Sequence, residues 1–328
     1  MERGIRYFQI AHHKEEKLLV KDIISRIRFQ TNTNDDNTGR NANALFSNKN
    51  LVGQLQICLN QYASFTRAIE NVFSYPLVKG IRSIKGPTDV IRGSGYRYIY
   101  LWRDGYRYSI NIKPLNFVNT RFPRQTINGI PQFVSLWEDE IYFYPDADTN
   151  RATTTLTSEV SETDTTINVN STTDFPIQNG RLTLTTGEKI RYETKSDTQF
   201  LNCTRGIEGT TVGYSSSGGT VQENNLMIFY FAMVNKIRVD DNDVVFPEDM
   251  SLDLKQIPEE HMISIIDLTS YMLLQKVDAE RAAPYKIDAA GFLRQAKDDI
   301  NYGRSDITAG YQITHPYDFE IANTGYLY

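Results

Sequence analysis

The sequence predicts an α+β protein: a helical bundle packed beside a small antiparallel β-sheet, with an all-β domain inserted into it. Three observations predict this. Four segments, 18–28, 48–73, 258–281 and 286–302, carry apolar residues at helical spacing. Two pairs of aromatic and β-branched runs flank short turns, the pattern of hairpins. Between residues 151 and 222 the composition shifts to Thr, Ser and Gly, with few helix formers. The expected organisation is a core of 1–150 and 223–304, an inserted β domain of 151–222 and an extended arm of 305–328.

Lys14 to Phe29 reads as a helix, with Leu18, Leu19, Ile23, Ile24 and Ile27 on one face. Thr31 to Asn41 is polar and turn-rich, with almost nothing to bury, and reads as a mobile loop. The strongest helix pattern runs from Asn48 to Phe73, where Ser47 or Asn48 can cap the first free amides. Leu51, Leu55, Cys58, Tyr62, Phe65, Ile69 and Val72 follow steps of three and four, and Pro76 ends the segment.

Tyr96–Trp102 and Tyr106–Ile112 flank Asp104-Gly105, a strong hairpin signal because both turn residues tolerate positive φ. A second hairpin pairs Phe133–Trp137 with Glu140–Tyr144 across Glu138-Asp139. Within 151–222, period-two alternation marks strands at 164–170, 181–185 and 189–192. Farther on, Pro258 suits a first helical turn, and Glu259 and Glu260 complement the helix dipole. Met262, Ile265, Ile266, Leu268, Tyr271, Met272, Leu274 and Val277 supply that helix's apolar groups, and Pro284 is expected to stop it. A last helix, 287–302, carries Phe292, Leu293, Ala296 and Ile300 on one side.

Composition bounds the function. With 328 residues, 40% apolar and 23% charged, the chain fits a globular protein of one large or two modest domains. No window approaches the roughly eighteen unbroken apolar residues of a membrane span. The first residues, Met1 to Tyr7, lack the apolar core of a signal peptide, so use in a cytoplasm is expected. Two cysteines, Cys58 and Cys203, are too few and too separated for a disulfide framework and are expected as packed thiols. The 20 tyrosines hint at assembly, since Tyr combines contact area with a polar tip. The net charge is −5, yet from Lys79 to Arg124 ten cations face two acids. That local excess of +8 leaves −13 on the remainder, a polarity that suits different partners at different faces.

Candidate sites are few. His12-His13 with Glu15-Glu16 offers ligand types but no cluster to complete a metal shell. Asp240-Asp241-Asn242-Asp243 lacks the glycine and terminal Glu of a calcium loop and reads as a solvated turn. Gly93-Ser94-Gly95 precedes no helix, so it reads as a turn and not a phosphate cradle. Nucleophile-elbow, zincin and Walker motifs are absent, and His261 at a helix start reads as a surface or subunit-contact residue. No catalytic, cofactor or metal residues are therefore assigned, and an enzyme is not expected. The candidate binding residues are Arg97, Arg103 and Arg107, which alternate with Tyr98, Tyr100, Tyr106 and Tyr108. Such a mixture grips either a nucleic-acid backbone or an acidic patch on a neighbouring subunit, and the latter is favoured.

Four short motifs occur in order along the chain: Gly129-Ile130-Pro131-Gln132-Phe133-Val134, Glu140-Ile141-Tyr142-Phe143-Tyr144-Pro145, Ile257-Pro258-Glu259-Glu260-His261, and Asp278-Ala279-Glu280-Arg281-Ala282-Ala283. In this order they resemble the head-tail adaptors, or neck proteins, of tailed bacteriophages. The inserted segment is similar to a small all-β module of phage structural proteins. Its matching pieces are Asp164-Thr165-Thr166-Ile167, Asp174-Phe175-Pro176, Gly187-Glu188-x-Ile190-x-Tyr192 and Cys203-Thr204-Arg205-Gly206-x-x-Gly209-Thr210. Asn202 and Glu208 depart from what such modules often carry.

The resemblance implies a virion structural protein: a closed, commonly twelve-fold neck ring that joins the portal to a downstream tail or neck protein and continues the DNA channel. It implies strands at Tyr144 and Leu226 that are neighbours, with the insert between them. It also implies a portal-docking arm, here Tyr311, Ile313, Tyr317, Phe319, Ile321, Tyr326, Leu327 and Tyr328, and non-specific DNA contact where Arg97, Arg103 and Arg107 face the channel. The alternative is a tail, baseplate or capsid-decorating protein whose β module binds host glycan.

Overall fold

The structure is a computed structural model that describes residues 19–33, 46–93, 95–103, 106–121, 128–148, 151–252, 254 and 256–305, without the side chains of 301–305. The described residues form two compact units. Those up to Ala68 and from Val234 onward make one; Ile69–Met233 makes the other.

The helices are α1 (Val20–Thr31), α2 (Asn48–Thr66), α3 (Leu115–Arg121), α4 (Pro247–Met250), α5 (Glu259–Leu274) and α6 (Ala279–Ser305). All but α3 belong to the first unit, where α5 packs against α1, α2 and α6. Met262, Ile265, Ile266, Leu273 and Leu274 of α5 are buried, as are Ile23 and Ile27 of α1 and Leu51 and Leu55 of α2. His261, expected as a surface or subunit-contact residue, is buried within the chain, and its Nδ1 lies 2.7 Å from the Tyr62 hydroxyl. Helix α2 is capped twice. Ser47 Oγ accepts from the Asn50 amide, and the Asp243 carboxylate accepts from the Asn48 and Lys49 amides at 2.8 and 2.6 Å. The Asp240–Asp243 turn is thus a long-range helix cap and not merely a solvated loop.

Two helix ends differ from the sequence expectation. Helix α2 stops at Thr66 because Arg67 turns left-handed, with φ 55°. Ile69 and Val72 therefore leave the helix, and Glu70–Tyr75 is a strand. Pro284 does not end a helix: it sits in the second turn of α6, where it removes one main-chain bond. The break comes earlier, at Asp278, whose side chain accepts from the Arg281 amide and whose carbonyl accepts from Ala282.

The second unit holds the strands. The first eight are β1 (Glu70–Tyr75), β2 (Ser83–Lys85), β3 (Tyr96–Arg103), β4 (Tyr106–Ile112), β5 (Asn128–Gly129), β6 (Phe133–Trp137), β7 (Glu140–Tyr144) and β8 (Asp146–Ala147). Between Arg151 and Glu223 follow β9 (Thr153–Thr155), β10 (Ile167–Asn168), β11 (Arg181–Leu184), β12 (Lys189–Arg191), β13 (Thr194–Lys195), β14 (Gln199–Leu201) and β15 (Thr220–Glu223), before β16 (Leu226–Phe231).

The fold class differs from the one expected. The dominant element is no helical bundle with a small antiparallel sheet but a seven-stranded mixed sheet, ordered β1-β16-β3-β4-β6-β7-β2. The pair β4–β6 is parallel, because the intervening chain through α3 is long enough to cross over. Strand β16 lies between β1 and β3, so Tyr144 and Leu226 are not on neighbouring strands as the resemblance implied. Sheet order arises from long-range pairing, which no local pattern encodes. One face of the sheet buries Ile99, Leu101, Ile110, Val134, Ile141, Phe143, Leu226 and Ile228 in a single core.

Residues 152–223 build a separate core around a four-stranded sheet, β12-β11-β15-β9, and a three-stranded one, β10-β14-β13. Leu182, Leu184, Ile190 and Val221 from the first meet Ile167 and Phe200 from the second. The segment's two ends are tied together. The Glu223 amide donates to the Ala152 carbonyl at 2.9 Å, and the Glu223 carboxylate accepts from the Ala152 amide at 3.0 Å.

Candidate interaction site

The period-two alternation of β3 sends Ile99 and Leu101 into the core and leaves Tyr98, Tyr100 and Trp102 on the opposite face. Register completes that face. Phe229 lies opposite Tyr98, and Val72 opposite Phe229. Arg107 pairs with Trp102 and lies diagonal to Tyr100. The rings of Tyr98 and Tyr100 stack at 5.9 Å, and Phe229 meets Tyr100 edge-on at 5.8 Å. The Arg107 guanidinium covers the Tyr100 ring at 4.6 Å. Arg97 lies 5.1 Å from the Tyr98 ring and pairs with Glu70 at 2.6 Å. Glu70, Val72, Arg97, Tyr98, Tyr100, Arg107 and Phe229 border a groove of about 500 Å³. Burial pushes the Tyr100 phenol up, and the adjacent Arg107 offsets part of that rise.

Of the three predicted arginines, Arg97 and Arg107 share this groove. Arg103 does not: it donates to the Asp148 carbonyl at 2.8 Å and borders a different cleft, of about 710 Å³, with Trp102, Arg151 and Glu223. The arm residues Tyr311, Ile313, Tyr317, Phe319, Ile321, Tyr326, Leu327 and Tyr328, and the His12-His13-Glu15-Glu16 cluster, lie outside the described residues. So do Ser94 and most of the Thr31–Asn41 loop. Glu70 and Phe229 completed the groove without a sequence signal, since they come from strands far from β3 in the chain.

The module motifs acquire physical roles. Glu188 and Arg205, from two separate motifs, form one buried bidentate pair at 2.6 and 2.7 Å. Glu188 also accepts from the Gly206 and Gly213 amides, and Arg205 donates to the Gly213 carbonyl. Tyr192, from the same strand motif as Glu188, donates to the carbonyl of Pro176, and its ring packs 4.6 Å from Phe200. Burial drives its phenol far above its ordinary range. Gly180 is glycine because a Cβ there would collide with the Tyr192 ring.

Glu208, a departure from the module pattern, binds the module to the seven-stranded sheet. Its carboxylate meets Arg181 at 2.5 Å and Lys189 at 2.6 Å, and also takes both donors of Ser74 on β1. Its backbone is left-handed, φ 57°, as is that of Asn202, φ 52°. Both cysteines are unpaired and buried, which pushes the thiol of Cys58 up to about 11 and that of Cys203 up to about 12.

Among the described residues no group of three His, Cys, Asp or Glu side chains is placed to hold a metal ion. No helix there is long and apolar enough to cross a membrane. No known family model matches the chain, and no curated protein matches it. What the site offers chemically is recognition: a stacked Tyr–Arg surface of the composition enriched at protein interfaces.

Proposed function

We propose that this chain is a virion structural protein, a neck-ring subunit of a tailed bacteriophage that joins the portal to the tail and continues the DNA channel. The observation that carries the reading is the order of the four core motifs, with the β module intervening between the second and third. Two features support it. Among the module's matching residues, Glu188, Arg205 and Tyr192 make buried polar contacts within it, so the likeness includes fold-determining positions. The Arg97–Arg107 face supplies an arginine and tyrosine surface suited to a neighbouring subunit. In this reading the segment from residue 305 onward docks with the portal.

Negative-stain imaging of the purified full-length chain, with light scattering, tests the proposal. A closed ring, commonly twelve-fold, is the expected result, and antibody against residues 153–222 should label the head–tail junction of virions. A strict monomer whose antibody labels fibre tips or the capsid surface would replace the neck reading with that of a glycan-binding tail or decoration protein.

A further inference from the structure

We propose that the groove beside Arg107 is a docking site for this chain's own C-terminal segment, residues 306–328. The inference goes beyond the neck-ring reading and does not depend on it; on that reading the segment occupies the groove before assembly and leaves it when it docks with the portal. Arg97 is already engaged by Glu70. Arg107 is different: its guanidinium rests on Tyr100, and among the described residues no carboxylate pairs with it. A guanidinium held over an aromatic ring still has N–H donors to offer a planar carboxylate. The walls beside it, Tyr98 and Phe229, are half-buried rings with room between them.

Residues 306–328 have the complementary chemistry. They contain Asp306, Asp318 and Glu320 and no Lys or Arg. Tyr317 and Phe319 flank Asp318, and Ile321 follows Glu320, so acids and apolar groups interleave within five residues. Docking places the Asp318 and Glu320 carboxylates against Arg107 and the neighbouring rings in the groove. An extended chain of this length spans roughly 75 Å, ample to cross a sheet face. Single-stranded nucleic acid is the weaker candidate, because base stacking needs open ring faces and Tyr100 is already covered by Arg107 and Tyr98.

Hydrogen exchange of the full-length chain, read by mass spectrometry, tests this. Amides of 311–321 should exchange at least tenfold more slowly than an unstructured chain, and Arg107→Glu should abolish that protection. Combining Arg107→Glu with Asp318→Lys and Glu320→Lys should restore it, which a folding defect could not do. Should Arg107→Glu disturb β3 and β4, Asp318→Asn with Glu320→Gln removes the same attraction from the segment's side alone. A dilution series then assigns the segment to its own subunit or to a neighbouring copy; either supports the site. Unprotected amides in the wild-type chain, or protection indifferent to these substitutions, would overturn the proposal. Tight binding of oligothymidylate with the segment left unprotected would overturn it too, and give the face to nucleic acid.

Discussion

The carboxylate of Glu208 accepts both the backbone amide and the hydroxyl of Ser74, at 2.8 and 2.6 Å. Lys189, which pairs with the same carboxylate, donates to the Ser74 carbonyl at 2.6 Å. Both main-chain groups of Ser74 are thus taken by side chains from residues 152–223. Among the described residues β1 pairs only with β16, and an unpaired edge of this kind is a template for unwanted strand addition. Two side chains perform here what a neighbouring strand would do.

Substitution Glu208→Ala should destabilise the protein by about 3–5 kcal/mol, since Arg181, Lys189 and Ser74 would lose their shared acceptor in a buried setting. Urea unfolding measures it. A loss below about 1 kcal/mol would show that the cluster's attraction only balances its desolvation.

The pair Glu188–Arg205 yields a sharper expectation. Arg205→Met should cost about 3–5 kcal/mol, and the double change Glu188→Met with Arg205→Met less than the sum of the two singles. The reason is that each single change strands a buried charge, whereas the double change strands none. A double-mutant cycle by denaturant unfolding reads the coupling.

Glu223 links stability to pH. Burial raises its carboxyl to about 7, against an ordinary value near 4.5, so the native state binds a proton that the unfolded chain has released. Stability from this group is fully present below about pH 4.5 and is lost as pH rises through about 7. Glu223→Gln should flatten that fall and stabilise the protein at pH 8 by roughly 2–3 kcal/mol. Thermal unfolding from pH 5 to 8 tests the sign; a wild-type profile rising over this range, with the variant unchanged, would refute it.

Tyr62→Phe leaves the buried His261 without its hydroxyl partner. A loss of about 1–3 kcal/mol is expected from the stranded polar group. Its companion test, His261→Phe in the Tyr62→Phe background, should recover part of that loss if hydrogen-bond satisfaction, and not volume, sets it.

Much of the local structure was legible in the chain. The hairpin of β6 and β7 occupies its expected residues, with Glu138 at φ 54° in the turn. Tyr98 and Tyr100 alternate with Ile99 and Leu101 as period two requires. What misled was the run after Thr66: Ile69 and Val72 sit at helical spacing from Leu55 and Tyr62, but a left-handed Arg67 ends the helix first. Apolar spacing reports the face a residue would bury and not where the backbone turns.

The period of each segment, the uneven charge and the module's motif residues can be read from the chain without its fold, because these depend on local order along it. Tertiary structure alone decided that β16 lies between β1 and β3, which makes the sheet seven-stranded. It alone separated Arg103 from Arg97 and Arg107, set Phe229 beside Tyr98, and brought Glu208 to Ser74 across 134 positions. Pairings over such distances rest on the free energy of the whole core, which has to outweigh the entropy of closing long loops. No short stretch of chain carries that balance.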